Sequence, residues 1–513
     1  MGTNYVLGID VGTTGVKVAL FDVGSGKIVA TSYKTYELLS PRVGYVELDP
    51  EIWWHKSLEA IKELLSKLED VKEKIVAVGL SGQLNSTTFL DESGNPVYPS
   101  IIWMDTRSET QIKKVAEIIN AEEFNRITGL RFSPFYAIFK VLWFKEHLPK
   151  VLKKTKVVLQ AKDYISFKLT GEQVIDTSLA SASGLLNLTT KKYAREELLN
   201  KLDFPTEILP KLVSPTDIIG TVTDKASKET GLPSGTPVVA GSGDVFTNAI
   251  ASGVVEPGDA YCKIATASDV VVCSEKLIND KDLRFVNYLH IVPNRYLIIG
   301  GDDSGICYRW FRNSFCHIER DIGILVNKDP YLIMDEEAET EEPGSKGLIF
   351  LPYITGVRSP IWDSYARGAF IGVTLTHDKR SFIRAILEGI AYSVRHRIDI
   401  LEHELNVPIS NISFVGGGAK SQLFRQIVAD VLKMPINLLG ITDFECVGAS
   451  ILAGVGVGIY ENLRNAINEV IKIEEVVNPK KETFDTYDKL YMLFLRTYPL
   501  LKSIFEELAK FKD

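Results

Sequence analysis

The sequence predicts an α/β protein built from two similar lobes. Its 513 residues are too many for one compact core, so two or three domains are expected. Two segments, Leu7–Ala30 and Gly258–Glu275, share one pattern, in which an apolar strand turns through small residues into a second strand. A repeat on this scale indicates two lobes that each begin with a hairpin.

The other elements follow from hydrophobic periodicity and from residues that begin or end helices. Asp49–Pro50 supplies helix-start chemistry for the apolar pattern after it. The β-branched run Lys74–Gly82 predicts a buried strand, and Gly171 is expected to end a helix. The stretch Tyr487–Phe511 predicts an amphipathic helix that packs back onto the protein. The acidic stretch Asp335–Gly347 predicts an exposed loop.

Composition indicates a cytoplasmic protein and excludes several classes of partner. The net charge of -8 argues against nucleic acid. The five cysteines are scattered and form no C-x-x-C pair, which is typical of reduced thiols in the cytosol. The first strand follows the N-terminus at once, leaving no room for a signal peptide, and no apolar run reaches the roughly 20 residues that span a bilayer. We therefore expect no membrane partner.

The turn between the first two strands is the first candidate site. Asp10 ends a strand, and Gly12, Thr13, Thr14 and Lys17 follow it. Small residues let backbone N–H groups approach a bulky anion, and a carboxylate beside them is useful when a cation accompanies that anion. The pattern predicts a Mg²⁺–polyphosphate site with Asp10 at the metal and the threonines at the β- and γ-phosphates. The alternative is a polar hairpin that an aspartate caps.

Two further glycine-flanked turns carry candidate ligand contacts. Asp244 ends a strand between glycines, which would place its carboxylate in a cleft, and the alternative is a helix N-cap. Gly416–Lys420 joins a strand to a helix and predicts a nucleotide contact, the alternative being a tight structural turn. Ser421 stands where a dinucleotide fingerprint needs its third glycine, and the chain contains no P-loop motif. Neither of those two nucleotide folds is therefore predicted.

A polar set follows two other predicted strands. Gln83, Asn85, Trp103, Asp105 and Arg107 combine amides, an indole, a carboxylate and a guanidinium. Sugars need paired donors and acceptors together with one apolar face, so this set is typical of a polyhydroxylated ligand. The alternative makes Asp105 and Arg107 a structural ion pair and Trp103 a core residue.

Taken in this order, the motifs resemble the FGGY family of carbohydrate kinases over nearly the whole chain. The matching stretches are GIDVGTTGVKVALFD, GYVELDPEIWW, WMDTR, DYISFKLTGE, GSGD, RSPIWDSYARGAFIGVTLTHDKRSFIRAILEGIAYS, GGGAKSQLFRQIVADVL and ECVGASILAG. The resemblance implies two actin-like (ribonuclease H-like) lobes with ATP bound in the cleft between them. It assigns the sugar site, the first phosphate hairpin and the catalytic aspartate to residues 1–252. It assigns the second hairpin, the adenosine site and the closing helix to residues 253–513.

The resemblance also implies a role for each candidate residue. Asp244 would be the general base, Asp10 with Mg²⁺ would hold ATP, and both are candidate metal contacts. The implied ATP contacts are Gly12, Thr13, Thr14, Lys17, Thr266, Ala267, Gly301, Gly417, Gly418 and Ala419. The implied sugar contacts are Gln83, Leu84, Asn85, Trp103, Asp105 and Asp244.

Within the family, the stretches RSPIWDSYARGAF and GGGAKS most resemble xylulokinases, which phosphorylate a ketopentose. Two positions depart from that pattern, because Asn85 replaces a sugar-contacting His and Val245 replaces an Asn. We expect an ATP-dependent sugar kinase, with D-xylulose as the first candidate and ribulose, glycerol, gluconate or a tetritol as alternatives. The assembly state, including a homodimer, is left open.

Two other functional classes share this pattern. An actin-like ATPase that acts on proteins would carry a separate peptide-binding domain, but the two lobes and the closing helix use up the chain. A non-catalytic sugar sensor should have lost Asp10 or Asp244, and both are present. The sequence therefore favours the kinase.

Overall fold

The computed structural model describes residues 4–67 and 71–511. It divides into two compact units. Unit 1 contains the residues up to Val255 together with Glu275–Leu297 and Ile441–Lys472, and unit 2 contains Glu256–Ser274, Ile298–Gly440 and the residues from Ile473 onward. The first division falls close to the boundary that the sequence predicts after residue 252. Two later segments, however, return to unit 1.

Strands are numbered in chain order. They are β1 (Tyr5–Val11), β2 (Gly15–Asp22), β3 (Lys27–Thr35), β4 (Glu47–Leu48), β5 (Ile75–Gly82), β6 (Thr88–Leu90), β7 (Ser100–Ile101), β8 (Val157–Leu159), β9 (Val174–Asp176), β10 (Leu186–Asn187), β11 (Lys192–Tyr193), β12 (Lys211–Val213), β13 (Ile218–Thr221), β14 (Pro237–Val239), β15 (Asp259–Ile264), β16 (Ser268–Ser274), β17 (Val286–Leu289), β18 (Tyr296–Asp302), β19 (Ile349–Leu351), β20 (Ala369–Ile371), β21 (Asn411–Val415), β22 (Ile436–Leu439) and β23 (Ile473–Val477).

The α-helices are numbered in the same way. They are α1 (Pro50–Ser66), α2 (Glu109–Ile118), α3 (Ala121–Thr128), α4 (Ala137–His147), α5 (Pro149–Leu152), α6 (Ala161–Thr170), α7 (Thr177–Ser181), α8 (Asp224–Thr230), α9 (Asp244–Ala251), α10 (Ile306–Phe315), α11 (His317–Val326), α12 (Pro330–Glu339), α13 (Lys379–Asp399), α14 (Gln422–Leu432), α15 (Phe444–Gly456), α16 (Leu463–Val470) and α17 (Phe484–Leu508). Within the described ranges, none of these helices is both long and apolar enough to cross a bilayer.

The main sheet of unit 1 has the strand order β13–β14–β5–β1–β2–β3. β1, β2 and β3 are antiparallel neighbours, whereas β5 runs parallel to β1 and β14 runs parallel to β5. The central strands β1 and β5 are apolar runs buried on both faces, as strands covered by helices on each side should be. The outer strand β3 instead alternates exposed residues with less exposed ones.

The main sheet of unit 2 repeats this topology, with the order β18–β16–β15–β21–β22–β23. β15 and β16 form an antiparallel hairpin, and β21 and β22 follow β15 in parallel. The last strand, β23, is antiparallel to β22, just as β13 is antiparallel to β14. The predicted α/β fold with two similar lobes, each beginning with a hairpin, is confirmed.

The predicted helix boundaries are also confirmed. The side chain of Asp49 accepts a hydrogen bond from the N–H of Glu51 at 3.0 Å, and Pro50 occupies the first position of α1. Gly171 ends α6 in the left-handed conformation, with φ 84°, which glycine adopts without steric cost. The terminal helix α17 packs back onto unit 2 through the buried aromatic rings of Tyr487, Tyr491, Phe494 and Phe505.

The prediction of an exposed loop at Asp335–Gly347 is wrong. Its first residues complete α12, and Asp335, Ala338 and Glu341 are buried. Buried acids need partners, and these have them, since the Tyr308 hydroxyl donates to Asp335 and an ion pair joins Lys346 to Glu341. The many acidic residues of this stretch favoured a loop prediction, although the apolar residues have helical spacing.

Helix α15 returns to unit 1 because it packs at backbone distance against the main sheet and against α9. A Cβ atom at Gly79 in β5 would lie 2.1 Å from the carbonyl oxygen of Ala449, and one at Gly8 in β1 would lie 2.7 Å from that of Cys446. On the opposite side, a Cβ at Gly448 would lie 2.1 Å from the carbonyl oxygen of Thr247 in α9. Glycine is therefore required on each side of α15.

We predict that Gly79→Ala lowers the free energy of unfolding by about 1–3 kcal/mol or more, because the new methyl group must displace the backbone of α15. Urea denaturation measures this change. Gly24→Ala is the matched control, since the nearest atom to its Cβ would be 3.4 Å away in an exposed turn, and it should shift stability by no more than about 0.5 kcal/mol. Equal stability of the two variants would show that α15 can move aside.

Candidate active site

Hydrogen bonds from neighbouring residues fix the turn between β1 and β2, and the tip of the turn is exposed to solvent. The N–H of Gly12 donates to the carbonyl oxygen of Gly15 at 3.0 Å, which closes the turn. The Tyr36 hydroxyl donates to the carbonyl oxygen of Gly12, and the Trp53 indole N–H donates to that hydroxyl at 3.1 Å. Thr14, at the tip, is exposed. The arrangement provides a rigid loop with accessible hydroxyl and backbone groups, as a phosphate site requires.

Two of the predicted sugar residues bond to this same turn. Gln83 Nε2 donates to the carbonyl oxygen of Gly12 at 3.2 Å, and Trp103 Nε1 donates to Thr13 Oγ1 at 3.0 Å. Gln83 Oε1 is buried without a hydrogen-bond partner. Trp103 is partly buried: it packs against the edge of the hydrophobic core and meets Phe135 edge to face at 5.8 Å. The structure thus brings the predicted sugar set and the predicted phosphate turn together.

Asp10 lies in a cluster of carboxylates within unit 1. Its Oδ1 atom is buried and has no hydrogen-bond partner. Burial, and then the nearby carboxylates of Glu445 and Asp244, raise the pKa of Asp10 to about 8. Glu445 is the second residue of α15, and it accepts a hydrogen bond from Asn248 Nδ2 at 3.1 Å. Sequence reasoning did not single out Glu445, although it stands in the ECVGASILAG stretch.

These residues fit a magnesium ion that a nucleotide brings with it. Within the described ranges, no three His, Cys, Asp or Glu side chains converge into a metal cage. Mg²⁺ does not need one, because it is usually held by one or two carboxylates, by waters and by substrate phosphates. The Oδ1 atom of Asp10 has no hydrogen-bond partner, so it is available to such an ion.

Asp244 is the first residue of α9, and Gly243 is the N-cap. The N-cap alternative for Asp244 is therefore wrong. Its Oδ1 accepts a hydrogen bond from the N–H of Val245 at 2.8 Å, and the residue is only partly buried. Leu84 lies directly beside this loop, since a Cβ at Gly243 would be 2.7 Å from Leu84 Cδ1. The predicted base and one predicted sugar residue are thus neighbours.

A buried ion network supports the loop before Asp244. Ser242 Oγ donates to Asp176 Oδ1 at 2.8 Å. Lys162 Nζ lies 3.0 Å from Asp176 Oδ2 and 2.5 Å from Asp163 Oδ1. Burial raises the pKa of Asp163 to about 6, against the opposing effect of Lys162. The lysine makes it possible to bury two carboxylates here, and Ser242 links them to the loop.

Lys17, a predicted ATP contact, forms an ion pair with Asp443 within unit 1. Burial alone would lower the pKa of this ammonium, but Asp443 reverses the effect and raises it. Both side chains remain partly exposed. The role of Lys17 at ATP stays a prediction, and the ion pair shows that its charge is already balanced in part.

Asn85 is fixed by its backbone as much as by its side chain. Its φ is 60°, a left-handed conformation that Asn adopts more readily than most residues. The Asn85 N–H donates to Gln160 Oε1 at 2.6 Å, and its Oδ1 accepts from the N–H of Ala137 at 3.3 Å. Its amide oxygen is therefore already engaged with the backbone, which leaves its Nδ2 group to meet a ligand.

Asp105 and Arg107 form the structural ion pair that was the alternative interpretation. Both side chains are buried, and Arg107 Nη2 lies 2.7 Å from Asp105 Oδ2 and 2.7 Å from Glu47 Oε1. The N–H of Val46 also donates to Asp105 Oδ2 at 2.6 Å. The guanidinium stacks 3.9 Å above the ring of Tyr45. The sugar-binding role of Asp105 stays a prediction, while its geometry favours support of the loop.

Lys140 joins the two segments that carry the sugar set, and sequence reasoning missed it. Its Nζ donates to the carbonyl oxygens of Asn85 at 2.7 Å and of Ile102 at 2.9 Å. The side chain is fully buried, and burial lowers its pKa to about 7. The only available signal was one lysine inside the apolar run AIFKVLWF.

Unit 2 contains a cavity of about 370 Å³ beside its own hairpin. The predicted ATP residues Thr266, Gly417 and Gly418 line it. Among the described residues, Ala267, Gly301 and Ala419 lie outside that lining; a Cβ at Gly301 would lie 2.1 Å from the Asp269 carboxylate. The other walls come from α10, α12, α13 and α14, which sequence reasoning did not assign to a ligand site.

We predict that the stability contributed at Lys140 depends on pH. Between its folded pKa of about 7 and the ordinary value of 10.5, the unfolded chain binds more protons, so the free energy of unfolding rises with pH. The cost of burying the ammonium is complete below this window and disappears above it. Asp105 and Arg107 are the charged neighbours that act on the Lys140 ammonium, and burial is the larger cause of its lowered pKa.

Urea denaturation of the wild type and of Lys140→Met, at pH values of about 7 and about 10, tests this prediction. The wild type should gain stability over the variant as the pH rises. Lys114→Met, which changes an exposed lysine, should leave the difference constant. A wild-type advantage over Lys140→Met that does not change with pH would contradict the prediction.

Comparison with known proteins agrees with this geometry. Residues 5–251 match the N-terminal domain of the FGGY family of carbohydrate kinases, and residues 304–457 match its C-terminal domain. A xylulose kinase from Staphylococcus epidermidis is 30% identical over 517 residues, covering 99% of each chain.

Two solved structures superpose closely. A gluconate kinase from Lactobacillus acidophilus has a TM-score of 0.89 and 29% identity, covering 99% of this chain and 100% of that one. A ligand-bound xylulose kinase from the same organism also has a TM-score of 0.89 and 29% identity, with 98% and 100% covered. The predicted two-lobe, actin-like architecture is confirmed. The chain belongs to the FGGY family of carbohydrate kinases and is a phosphotransferase that acts on a sugar hydroxyl.

Proposed function

We propose that the protein transfers the γ-phosphate of ATP to a hydroxyl of D-xylulose or of a closely related ketose or polyol. The observation that carries the proposal is the convergence of sugar and phosphate candidates in unit 1. Gln83 and Trp103 bond directly to Gly12 and Thr13, and Leu84 lies beside Gly243 next to Asp244. An acceptor hydroxyl that these side chains hold would lie near both the base and the phosphate turn.

Asp244 acts as the general base in this proposal. It takes the proton of the acceptor hydroxyl as the oxygen forms a bond to the γ-phosphorus. The bond between that phosphorus and the bridging oxygen breaks, and ADP leaves. Asp244 is the first residue of α9, so the helix fixes its backbone, and the residue is only partly buried. The N–H of Val245 donates to Oδ1 at 2.8 Å and so helps to orient the carboxylate.

Asp10 would hold the Mg²⁺ that accompanies ATP, with Asp244 nearby. When bound, this ion neutralises charge on the β- and γ-phosphate oxygens. The chain's own part is to keep one carboxylate oxygen unpartnered at the end of β1. The threonines and backbone groups of the β1–β2 turn would then contact the phosphates, and the cavity in unit 2 would take the adenosine.

The charges in the sugar segments favour a neutral acceptor over gluconate. Gluconate carries a carboxylate that needs a positive partner. Arg107 is already paired with Asp105 and Glu47, although its buried Nη1 has no hydrogen-bond partner, and Lys140 donates to two carbonyl oxygens. Gluconate remains the second candidate, because a gluconate kinase is as similar in structure as a xylulose kinase.

We predict that Asp244→Asn lowers kcat by about 10²- to 10⁴-fold, because the amide cannot accept the hydroxyl proton. Nucleotide affinity should remain close to that of the wild type. Steady-state kinetics with ATP and sugar, together with calorimetric titration of ADP, measure both quantities. A near-normal kcat would reject Asp244 as the base, and a loss of nucleotide binding would point to a structural defect instead.

We predict that Asn85→His combined with Val245→Asn lowers the KM for D-xylulose by about 3- to 10-fold, since each change adds a group that can bond a sugar hydroxyl. Histidine tolerates the left-handed backbone at position 85 better than most residues. The two single variants serve as controls and should each give part of the change.

A coupled ADP-release screen over xylulose, ribulose, glycerol, gluconate and tetritols accompanies this test. D-xylulose or a close ketose or polyol should give the highest kcat/KM. Unchanged or worse D-xylulose kinetics in the double variant, together with a better substrate from another class, would reject the ketopentose and retain the kinase.

A further inference from the structure

One wall of the cavity in unit 2 presents a buried carboxylate to the space inside. Asp335 lines this cavity from α12 and is only 6% exposed. Its Oδ1 accepts a hydrogen bond from the Tyr308 hydroxyl at 2.6 Å. Its Oδ2 is buried without a hydrogen-bond partner. A carboxylate oxygen in that state carries an unmet capacity to accept, and leaving it unmet costs free energy.

The orientation of this carboxylate is fixed by aromatic packing. Tyr308, which also lines the cavity, stacks on Tyr331 with ring centroids 5.3 Å apart. Arg312 in turn lies 4.4 Å above the ring of Tyr331. Because the Tyr308 hydroxyl gives its single hydrogen to Oδ1, Oδ2 is the oxygen left for a ligand. Burial raises the pKa of Asp335, and the hydroxyls of Tyr308 and of Ser421, which also lines the cavity, act against that rise.

The rest of the lining combines apolar walls with a glycine turn. Leu387 and Ile390 of α13 and Phe424 of α14 supply flat apolar surface, which suits an aromatic base. Thr266 and Gly417, at the two turns, supply backbone and hydroxyl groups on the same cavity. A planar apolar ring with one hydrogen-bond donor would suit the apolar walls and Asp335, and a polar tail would suit the two turns and the charged side chains of Arg309 and Lys420.

We propose that Asp335 accepts a hydrogen bond from the exocyclic amino group of the nucleobase and so makes the kinase select adenine nucleotides. The inference rests on the proposed function, in which this cavity binds the nucleotide. Adenine presents an amino group at its six position, hypoxanthine presents a carbonyl oxygen there, and unsubstituted purine presents only a hydrogen. A carboxylate oxygen accepts a hydrogen bond from the amino group of adenine and repels the carbonyl oxygen of hypoxanthine. It forms no hydrogen bond with the ring hydrogen of unsubstituted purine.

Binding of Mg²⁺ diphosphates in the absence of sugar tests this assignment without any need for turnover. Calorimetry would compare ADP with inosine diphosphate and with purine riboside diphosphate. A lost hydrogen bond to a charged group corresponds to a weakening of about 10- to 100-fold. The wild type should bind both analogues more weakly than ADP by that factor.

Asp335→Asn should reduce the preference for ADP over the two analogues, since an amide can offer either an acceptor or a donor to the base. The ADP-to-inosine ratio should fall at least tenfold. Glu336→Gln is the matched control, because it removes the same charge from the next residue of α12, where the side chain is exposed and paired with Lys328. That control should leave all three affinities and their ratios unchanged.

Several results would overturn the assignment. Equal affinity of the wild type for the three diphosphates would show that the amino group is not recognised. An equal loss of all three affinities in Asp335→Asn would show a structural role only. Altered discrimination between ADP and 2′-deoxy-ADP, with none at the base, would move the contact to the ribose. If the wild type binds none of these nucleotides, both the inference and the proposed function fail, whereas nucleotide binding without base selectivity rejects the inference alone.

Discussion

The close packing of α15 is the constraint on which the site in unit 1 depends. This helix touches the sheet through Gly8 and Gly79 and touches α9 through Gly448, at distances that exclude any side chain. β1 ends at Asp10, α9 begins at Asp244, and α15 itself carries Glu445. The glycine contacts therefore set the spacing of the three carboxylates. The buried glycine contacts therefore determine how close together the three negative charges lie.

The carboxylate cluster that results is unfavourable for the protein alone. Burial and like charges raise the pKa of Asp10 to about 8, so its ionised form is held at a cost. Perturbed carboxylates of this kind collect at functional sites, where a ligand supplies the missing positive charge. The buried Lys162 network next to the site shows the contrast, since it pairs its carboxylates internally and is structural.

The sequence predicted what depends on local pattern. The two hairpins, the cap at Asp49 and the end of α6 at Gly171 follow from residues close together in the chain, and the structure confirms them. The roles of residues that depend on contacts with distant parts of the chain could not be predicted from the sequence. The return of α15 to unit 1 depends on glycine contacts between segments hundreds of residues apart. Lys140 is similar, because an apolar helix with one lysine does not reveal which carbonyl oxygens that lysine will reach.

Charge pattern misled the prediction at Asp335 for the opposite reason. Acidic density is ordinarily a sign of solvent, yet one acid of the stretch is buried beside a tyrosine and faces a cavity. In unit 1, likewise, the buried cations Arg107 and Lys140 hold the loops in place, although positive side chains in a sugar site would normally be taken as ligand contacts. In both units the charged groups with internal partners shape the site. Asp10 and Asp335 each keep a buried carboxylate oxygen without a hydrogen-bond partner, and these are the groups that the proposed ligands would complete.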